Sequence, residues 1–197
     1  MGNVLLKLDE ERNRMTLEEF YNLDLPKGTL AELIDGEIYY MASPRTIHQT
    51  ISGELYFLIK NYIRTNNGKC RIFAAPYDVQ IKDDTPTVLI PDISVICNPD
   101  KITDKRCVGA PDWVIEIVSP SDPGHDYIRK VGLYMNGGVR EYWIVDPMKK
   151  VIITYRTTDS GFDTTIYSFR DKIKVGIYED LVIDFAEVDD VISTLPI

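Results

Sequence analysis

The chain has 197 residues and 22.5 kDa, enough for one globular domain with a real core and too little for two large ones. It is 44% apolar and 27% charged, the composition of a folded protein, and no apolar run approaches the ~20 residues of a membrane span. The net charge is −9, from 22 Lys and Arg against 31 Asp and Glu; this excludes coating of duplex DNA by bulk electrostatics, but leaves room for a local basic patch or for carboxylates gathered around a divalent cation.

Met1 to Arg14 is charged and lacks a signal-peptide core, so a soluble, cytoplasmic protein is expected. Three cysteines (Cys70, Cys97 and Cys107) are an odd number without a CxxC pair, and neither a disulfide framework nor a cysteine zinc site is expected. There is no repeat, low-complexity stretch or long linker. The expectation is a single domain over residues 15–190, with tails at 1–14 and 191–197.

Thr16, with Glu19 three residues on, is a capping-box signature that starts a short helix to Leu23. Leu30 to Met41 reads as a β-hairpin turning at Asp35-Gly36. Ile47 to Thr65 is the clearest helix, with Ile47, Ile51, Leu55, Leu58, Ile59 and Tyr62 forming an apolar stripe, and Gly68 follows its end. Strand-like segments follow at Lys69–Ala75, Tyr77–Lys82, Val88–Asn98 and Asp112–Val118, rich in Val, Ile, Phe and Tyr. A second helix is expected over Asp126–Gly137, stopped by Gly137-Gly138, and then a strand at Glu141–Val145 that ends at Asp146-Pro147. Val151–Tyr155, Thr164–Phe169, Ile173–Val175 and Leu181–Phe185 read as short antiparallel strands. Runs of strands with a few helices indicate an α/β (α+β) domain rather than a doubly wound nucleotide fold.

The chemistry concentrates between Leu89 and Asp146. By strand alternation Asp92, Ser94 and Ile96 share one side of their strand, and Asp112, Val114, Glu116 and Val118 share one side of the next. Asp92 and Glu116 are thus acids set among apolar neighbours. A buried carboxylate without a partner costs several kcal/mol, so a metal ion, a cation such as Lys130 or a raised pKa has to compensate it. Neighbouring strands put such carboxylates ~5 Å apart at Cβ, close enough to share one Mg²⁺. Lysines and arginines at 101, 105, 106, 69, 71 and 129 are candidates to meet a phosphate backbone, or are solvated loop residues. Two histidines and no GxSxG leave a serine hydrolase poorly supported, and no phosphate-binding glycine loop implies a nucleotide cofactor.

The ordered set Pro91-Asp92-Ile-Ser-Val, Val114-Ile-Glu116-Ile-Val-Ser-Pro-Ser, Asp126, Lys130, Tyr134 and Gly138-Val-Arg-Glu141-Tyr-Trp143-Ile-Val-Asp-Pro147 resembles the PD-(D/E)XK nuclease superfamily. It is more similar still to the Uma family of restriction-endonuclease-like proteins, abundant in cyanobacteria. The likeness extends upstream through Tyr21, Glu32-Leu-Ile-Asp-Gly-Glu37 and Ser43-Pro44 to His48, and covers roughly residues 15 to 190. It implies a central mixed β-sheet flanked by helices, with additional C-terminal strands. It also implies a Mg²⁺- or Mn²⁺-dependent endonuclease that hydrolyses phosphodiester bonds in DNA and leaves 5′-phosphate ends, with Asp92 and Glu116 as metal ligands. The superfamily pattern has a lysine two residues after the second acid, where this chain has Val118; the resemblance then implies that Lys130, from the following helix, takes its place. Glu37 is the third catalytic candidate by resemblance, the alternative being an exposed glutamate beside a turn. His48 and Asp78 are possible supporting residues. The alternatives kept open are a catalytically inactive member of the fold that binds nucleic acid or protein, and a metal-assisted hydrolase of small phosphoesters. A homodimer is plausible from the apolar C-terminal ribbons.

Overall fold

The computed structural model describes residues 14–82, 85–119 and 129–196. In chain order the elements are α1 (Leu17–Tyr21), β1 (Ala31–Ile34), β2 (Glu37–Tyr40), α2 (Thr46–Thr65), β3 (Arg71–Ala74), β4 (Asp78–Gln80), β5 (Val88–Leu89), β6 (Ile93–Ile96), β7 (Arg106–Val108), β8 (Trp113–Ile117), α3 (Val131–Gly137), β9 (Glu141–Asp146), β10 (Val151–Thr158), β11 (Gly161–Ser168), β12 (Lys172–Lys174), β13 (Val182–Asp184) and α4 (Phe185–Ser193). Thr16 and Glu19 form the expected reciprocal cap of α1. The β1–β2 hairpin turns at Asp35 and Gly36, whose φ angles of 52° and 82° are those of a primed two-residue turn.

A six-stranded mixed sheet, ordered β11-β10-β9-β8-β6-β3, is the centre of the fold, and β8 runs parallel to β9 within it. On one face Ile51, Leu55 and Ile59 of α2 and Phe185 and Val188 of α4 pack against Ile93, Val95, Trp113, Ile115 and Trp143. On the other face a five-stranded sheet, ordered β2-β1-β5-β4-β7, joins α3 to cover Val114, Tyr142 and Ile144 with Ile34, Val79, Leu89 and Tyr134. The strand alternation read from the sequence holds: Ile93 and Val95 serve the first core, and Ile96 and Val114 the second. Gly138 ends α3 in the left-handed region with φ 97°, and Gly137 lies against Ile81 so closely that a Cβ would meet its Cγ2 at 2.3 Å.

The expected single strand over 88–98 is two strands. β5 pairs with β1 and β4 in the five-stranded sheet, whereas β6 pairs with β3 and β8 in the six-stranded one. Pro91 lies at the crossing, where its missing N–H costs no ladder bond. This crossing carries Asp92 out of one sheet and to the start of an interior strand of the other. The expected cation-bearing loop after Asn98 contains β7, which pairs with β4 in parallel. In the C-terminal part, α4 follows directly on β13 with Asp184 as its N-cap, where the residue pattern announces only a strand through Phe185.

The expectation that no disulfide forms is corrected. Pairing of Arg71 with Ile96 sets Cys70 and Cys97 opposite each other as the next position of the ladder, with Cα atoms 3.9 Å apart, and they are bonded. An odd count does not reveal which two cysteines a register brings face to face. Cys107 is free and buried. Among the described residues no helix is long and apolar enough to cross a membrane.

Glu141, fully buried, ties the C-terminal ribbons to the sheet. Its Oε1 accepts from Trp143 Nε1 at 2.7 Å and from Arg156 Nε at 3.2 Å, and its Oε2 accepts from the backbone N–H groups of Gly176 at 2.6 Å and Ile177 at 2.9 Å. Removing this acceptor strands the buried Trp143 indole and two backbone N–H groups and unpairs the partly exposed Arg156. Glu141→Ala is therefore expected to lower unfolding free energy by about 3–5 kcal/mol, read from urea denaturation.

Candidate active site

Four elements converge on a cavity of about 550 Å³, whose lining includes Glu32, His48, Asp92, Glu116, Ser119 and Lys130. Glu32 comes from β1, Glu116 from β8, Asp92 from the β5–β6 crossing, and Lys130 from the residue preceding α3. All four are buried, with 3%, 4%, 9% and 4% of their surface exposed respectively. Lys130 Nζ donates to Glu116 Oε1 at 2.9 Å and to Glu32 Oε1 at 3.0 Å, so one ammonium bridges two carboxylates. The Tyr134 hydroxyl donates to Glu116 Oε1 at 2.7 Å. Burial, and then the negative charges of Glu116 and Glu32, push the Tyr134 pKa well above the ordinary phenol value. That hydroxyl therefore remains a donor at any physiological pH.

Backbone amides of the sheet crossing and of β8 also hold these carboxylates. Ile90 N–H donates to Glu32 Oε1 at 2.9 Å, and Asp92 N–H donates to Glu116 Oε2 at 3.3 Å. Ile117 N–H donates to Asp92 Oδ2 at 2.7 Å, and His48 Nε2 lies 3.1 Å from the same oxygen. Asp92 and Glu116 thus each receive an amide from the other's strand end. The amides on either side of Pro91, which the change of sheet leaves without ladder partners, are satisfied by carboxylates of the site.

The other candidate residues are distributed differently. Glu37 lies outside this cluster with its side chain 58% exposed, beside Arg129 at 3.7 Å; a hydrogen bond from the Tyr39 hydroxyl holds its carboxyl below the usual range. Asp78 lies in β4 opposite Arg106 and does not line the cavity, and burial raises its pKa against the opposing pull of Arg106. The loop cations are engaged elsewhere: Lys101 donates to Ala110 O, Arg106 covers the Tyr21 ring, and Arg71 donates to Lys69 O and Cys70 O. Among the described residues lining the cavity, Lys130 is the one Lys or Arg. Asp126, with the expected start of the second helix, lies outside the described residues.

A family model, Uma2, described as "Putative restriction endonuclease", matches residues 17–179. The chain belongs to the Uma2 family. It is 29% identical over 149 residues to "Uncharacterized protein slr1290" of Synechocystis sp. PCC 6803, a match that covers 75% of this chain and 77% of that one. It is also similar to a solved structure from Anabaena variabilis, titled a "putative nuclease belonging to DUF820". That likeness has a TM-score of 0.74 at 21% identity and covers 90% of this chain and 99% of the other. The mixed sheet with flanking helices is therefore a restriction-endonuclease-like fold.

Within this Uma2 chain, the residue two positions after Glu116 has no route to lysine chemistry. Val118 is 3% exposed and part of the second core, and its N–H donates to Val145 O. The ammonium instead enters from the start of α3, on the same face of the sheet as Glu116. Of the two hairpin glutamates, Glu32, which the sequence reading does not single out, lines the cavity, and Glu37 does not. Its signal was present, since Glu32 stands between Ala31 and Leu33-Ile34 as Glu116 stands between Ile115 and Ile117. Tyr134 belongs to the ordered set that carries the resemblance, but the sequence has no signal that its hydroxyl meets Glu116.

Lys130→Met is expected to lower unfolding free energy by about 3–5 kcal/mol in urea titration, because it leaves two buried carboxylates without their cation; combining it with Glu32→Gln recovers part of the loss. Asp78 gives a test with the opposite sign. Its raised folded-state pKa means that the folded protein resists ionisation, so the cost begins above the ordinary value of 3.8 and is complete once the pH passes the raised one. Asp78→Asn should therefore raise Tm by about 1–3 °C at pH 7 and leave it unchanged at pH 3, as followed by circular dichroism.

Proposed function

We propose that this protein is a divalent-metal-dependent nuclease whose catalytic groups are Asp92, Glu116 and Lys130. The observation that carries the reading is the composition of the cavity floor. Three carboxylates and one ammonium line it, a formal charge of −2 when all three are ionised and His48 is neutral. A folded chain gains no stability from such an excess, and a divalent cation offsets it.

The donor set fits that cation. Glu32 Oε1 is committed to Lys130 and to Ile90 N–H. Asp92 Oδ1 accepts no hydrogen bond among the described residues, and Glu116 Oε2 accepts the long one from Asp92 N–H at 3.3 Å. Among the described residues no three His, Cys, Asp or Glu side chains are grouped to hold a metal. Asp92 and Glu116 alone would hold it, which suits Mg²⁺ or Mn²⁺, ions that retain water and take their other ligands from substrate phosphate. When bound, the cation supplies Lewis-acid polarisation of the scissile phosphate.

The chain's own groups do the rest. Ile117 N–H and His48 fix Asp92, while Tyr134 and Lys130 fix Glu116, so neither acid has to reorganise during the reaction. Lys130 presents positive charge at the cavity wall, where it offsets the charge that grows on the phosphate oxygens. Pro44, just before α2, and His48 and Gln49 in the first turn of this twenty-residue helix also line the cavity, so the positive end of that helix adds to the same field. Water attacks phosphorus, the P–O3′ bond breaks, and the proton lost by the water ends on O3′, giving a 5′-phosphate and a 3′-hydroxyl.

The reading is tested by titrating Mg²⁺ and Mn²⁺ calorimetrically into the wild type, Asp92→Asn and Glu116→Gln, and by assaying nicking of supercoiled plasmid and cleavage of labelled oligonucleotides. Both metal binding and cleavage should fall in each variant, with rate losses of about 10²-fold or more, while circular dichroism remains native. A wild type that binds neither ion would remove the metal-dependent mechanism and favour a noncatalytic binding role. Cleavage that survives Asp92→Asn and Glu116→Gln would exclude these residues as its source.

A further inference from the structure

The cavity is a poor receptor for a continuous duplex. Duplex binding draws on many Lys and Arg side chains arrayed along the backbone. Here Lys130 is the one Lys or Arg lining the cavity among the described residues, and it is committed to Glu32 and Glu116. Asp92 and Glu116 are buried, so a scissile phosphate has to enter the cavity together with its nucleoside to meet them. The space of about 550 Å³ lies within the range of pockets for single small ligands, about 300–1,000 Å³.

The rest of the wall is what an unpaired base requires. Leu30, Tyr39, Tyr40, Met41, Pro44 and Pro76 form an apolar and aromatic surface continuous with the acids. Tyr39 is fixed, because its hydroxyl donates to Glu37 and its ring lies under the Arg129 guanidinium at 4.6 Å. Tyr40 is not packed away. It ends the edge strand β2 with 66% of its surface exposed and has neither a ring partner nor a side-chain hydrogen bond among the described residues. An aromatic ring standing free at the mouth of an acidic cavity offers a face for stacking, and stacking on a base does not depend on sequence.

Resting on the nuclease reading above, we infer that the cavity binds one unpaired nucleotide with its base against Tyr40, and that the substrate is therefore a single-stranded polynucleotide. Stacking supplies affinity that the described residues lining the cavity do not supply as free cations. It acts only on a base released from its partner, which makes strandedness the property that the site selects.

The test uses the full chain and fluorescein-labelled 20-mers of one sequence, as single-stranded DNA, single-stranded RNA and blunt DNA duplex. Binding is read by anisotropy in Ca²⁺ and cleavage in Mg²⁺ or Mn²⁺. One of the single strands should bind and be cut at least tenfold better than the duplex, and the DNA and RNA arms show which. Tyr40→Ala, at an exposed position that leaves the core intact, should weaken single-strand binding about tenfold, while Tyr40→Trp retains it. An abasic series should lose the same factor when the unstacked position occupies the cavity. Equal or better handling of the duplex, or unchanged single-strand binding by Tyr40→Ala, overturns this inference and leaves the nuclease reading standing. If nothing is cleaved, the nuclease reading fails, and the anisotropy comparison of wild type with Tyr40→Ala still decides whether the cavity takes an unpaired base.

Discussion

The ammonium of Lys130, held between Glu32 and Glu116, is the interaction on which the site depends. Three carboxylates at less than a tenth exposure on one cavity wall repel one another and each lacks water. In a medium of low dielectric that repulsion is worth several kcal/mol, and the two short contacts of Lys130 answer most of it. Asp92 is outside that bridge. It is held by a backbone amide and a histidine instead.

The change of sheet at Pro91 is what brings these groups together. Moving from β5 to β6 leaves amides without ladder partners, and a buried amide without an acceptor is costly. Glu32 and Glu116 accept those amides, and in doing so are aimed at the cavity. The acids are thus part of how the two sheets join, as well as candidates for chemistry. Loss of Glu32 or Glu116 would unsettle the joint, so the isosteric amide is the informative substitution at these positions.

Much of this was legible in the residues. The hairpin at Asp35-Gly36, the stripe of α2 and the opposite sides of β6 and β8 follow from local periodicity, which depends only on neighbours in sequence. Asp92 and Glu116 stood out because a charge among branched apolar residues is hard to explain otherwise. What escaped was set by pairing over long range. The register that faces Cys70 with Cys97, the parallel seat of β7 beside β4, and the division of 88–98 between two sheets are properties of partners that local pattern does not name. Glu32 was passed over for Glu37 although both stand in the same hairpin. Strand position separates them, because Glu37 ends the turn in solvent while Glu32 pairs with Tyr39 inside the sheet.

The cation of the cluster is 14 residues from one of its acids along the chain and 98 from the other. Nothing in the sheet geometry fixes those intervals, since the ammonium arrives on a separate element and needs only to end in the same place. A sequence pattern that demands a lysine two residues after the acid would discard this chain, because Val118 is buried in the core there. A template written in space, with one buried amine bridging two acids and a third acid at a proline crossing, would retrieve it. Relatives whose lysine has moved along the chain are therefore better sought by the arrangement of their side chains than by the spacing of their letters.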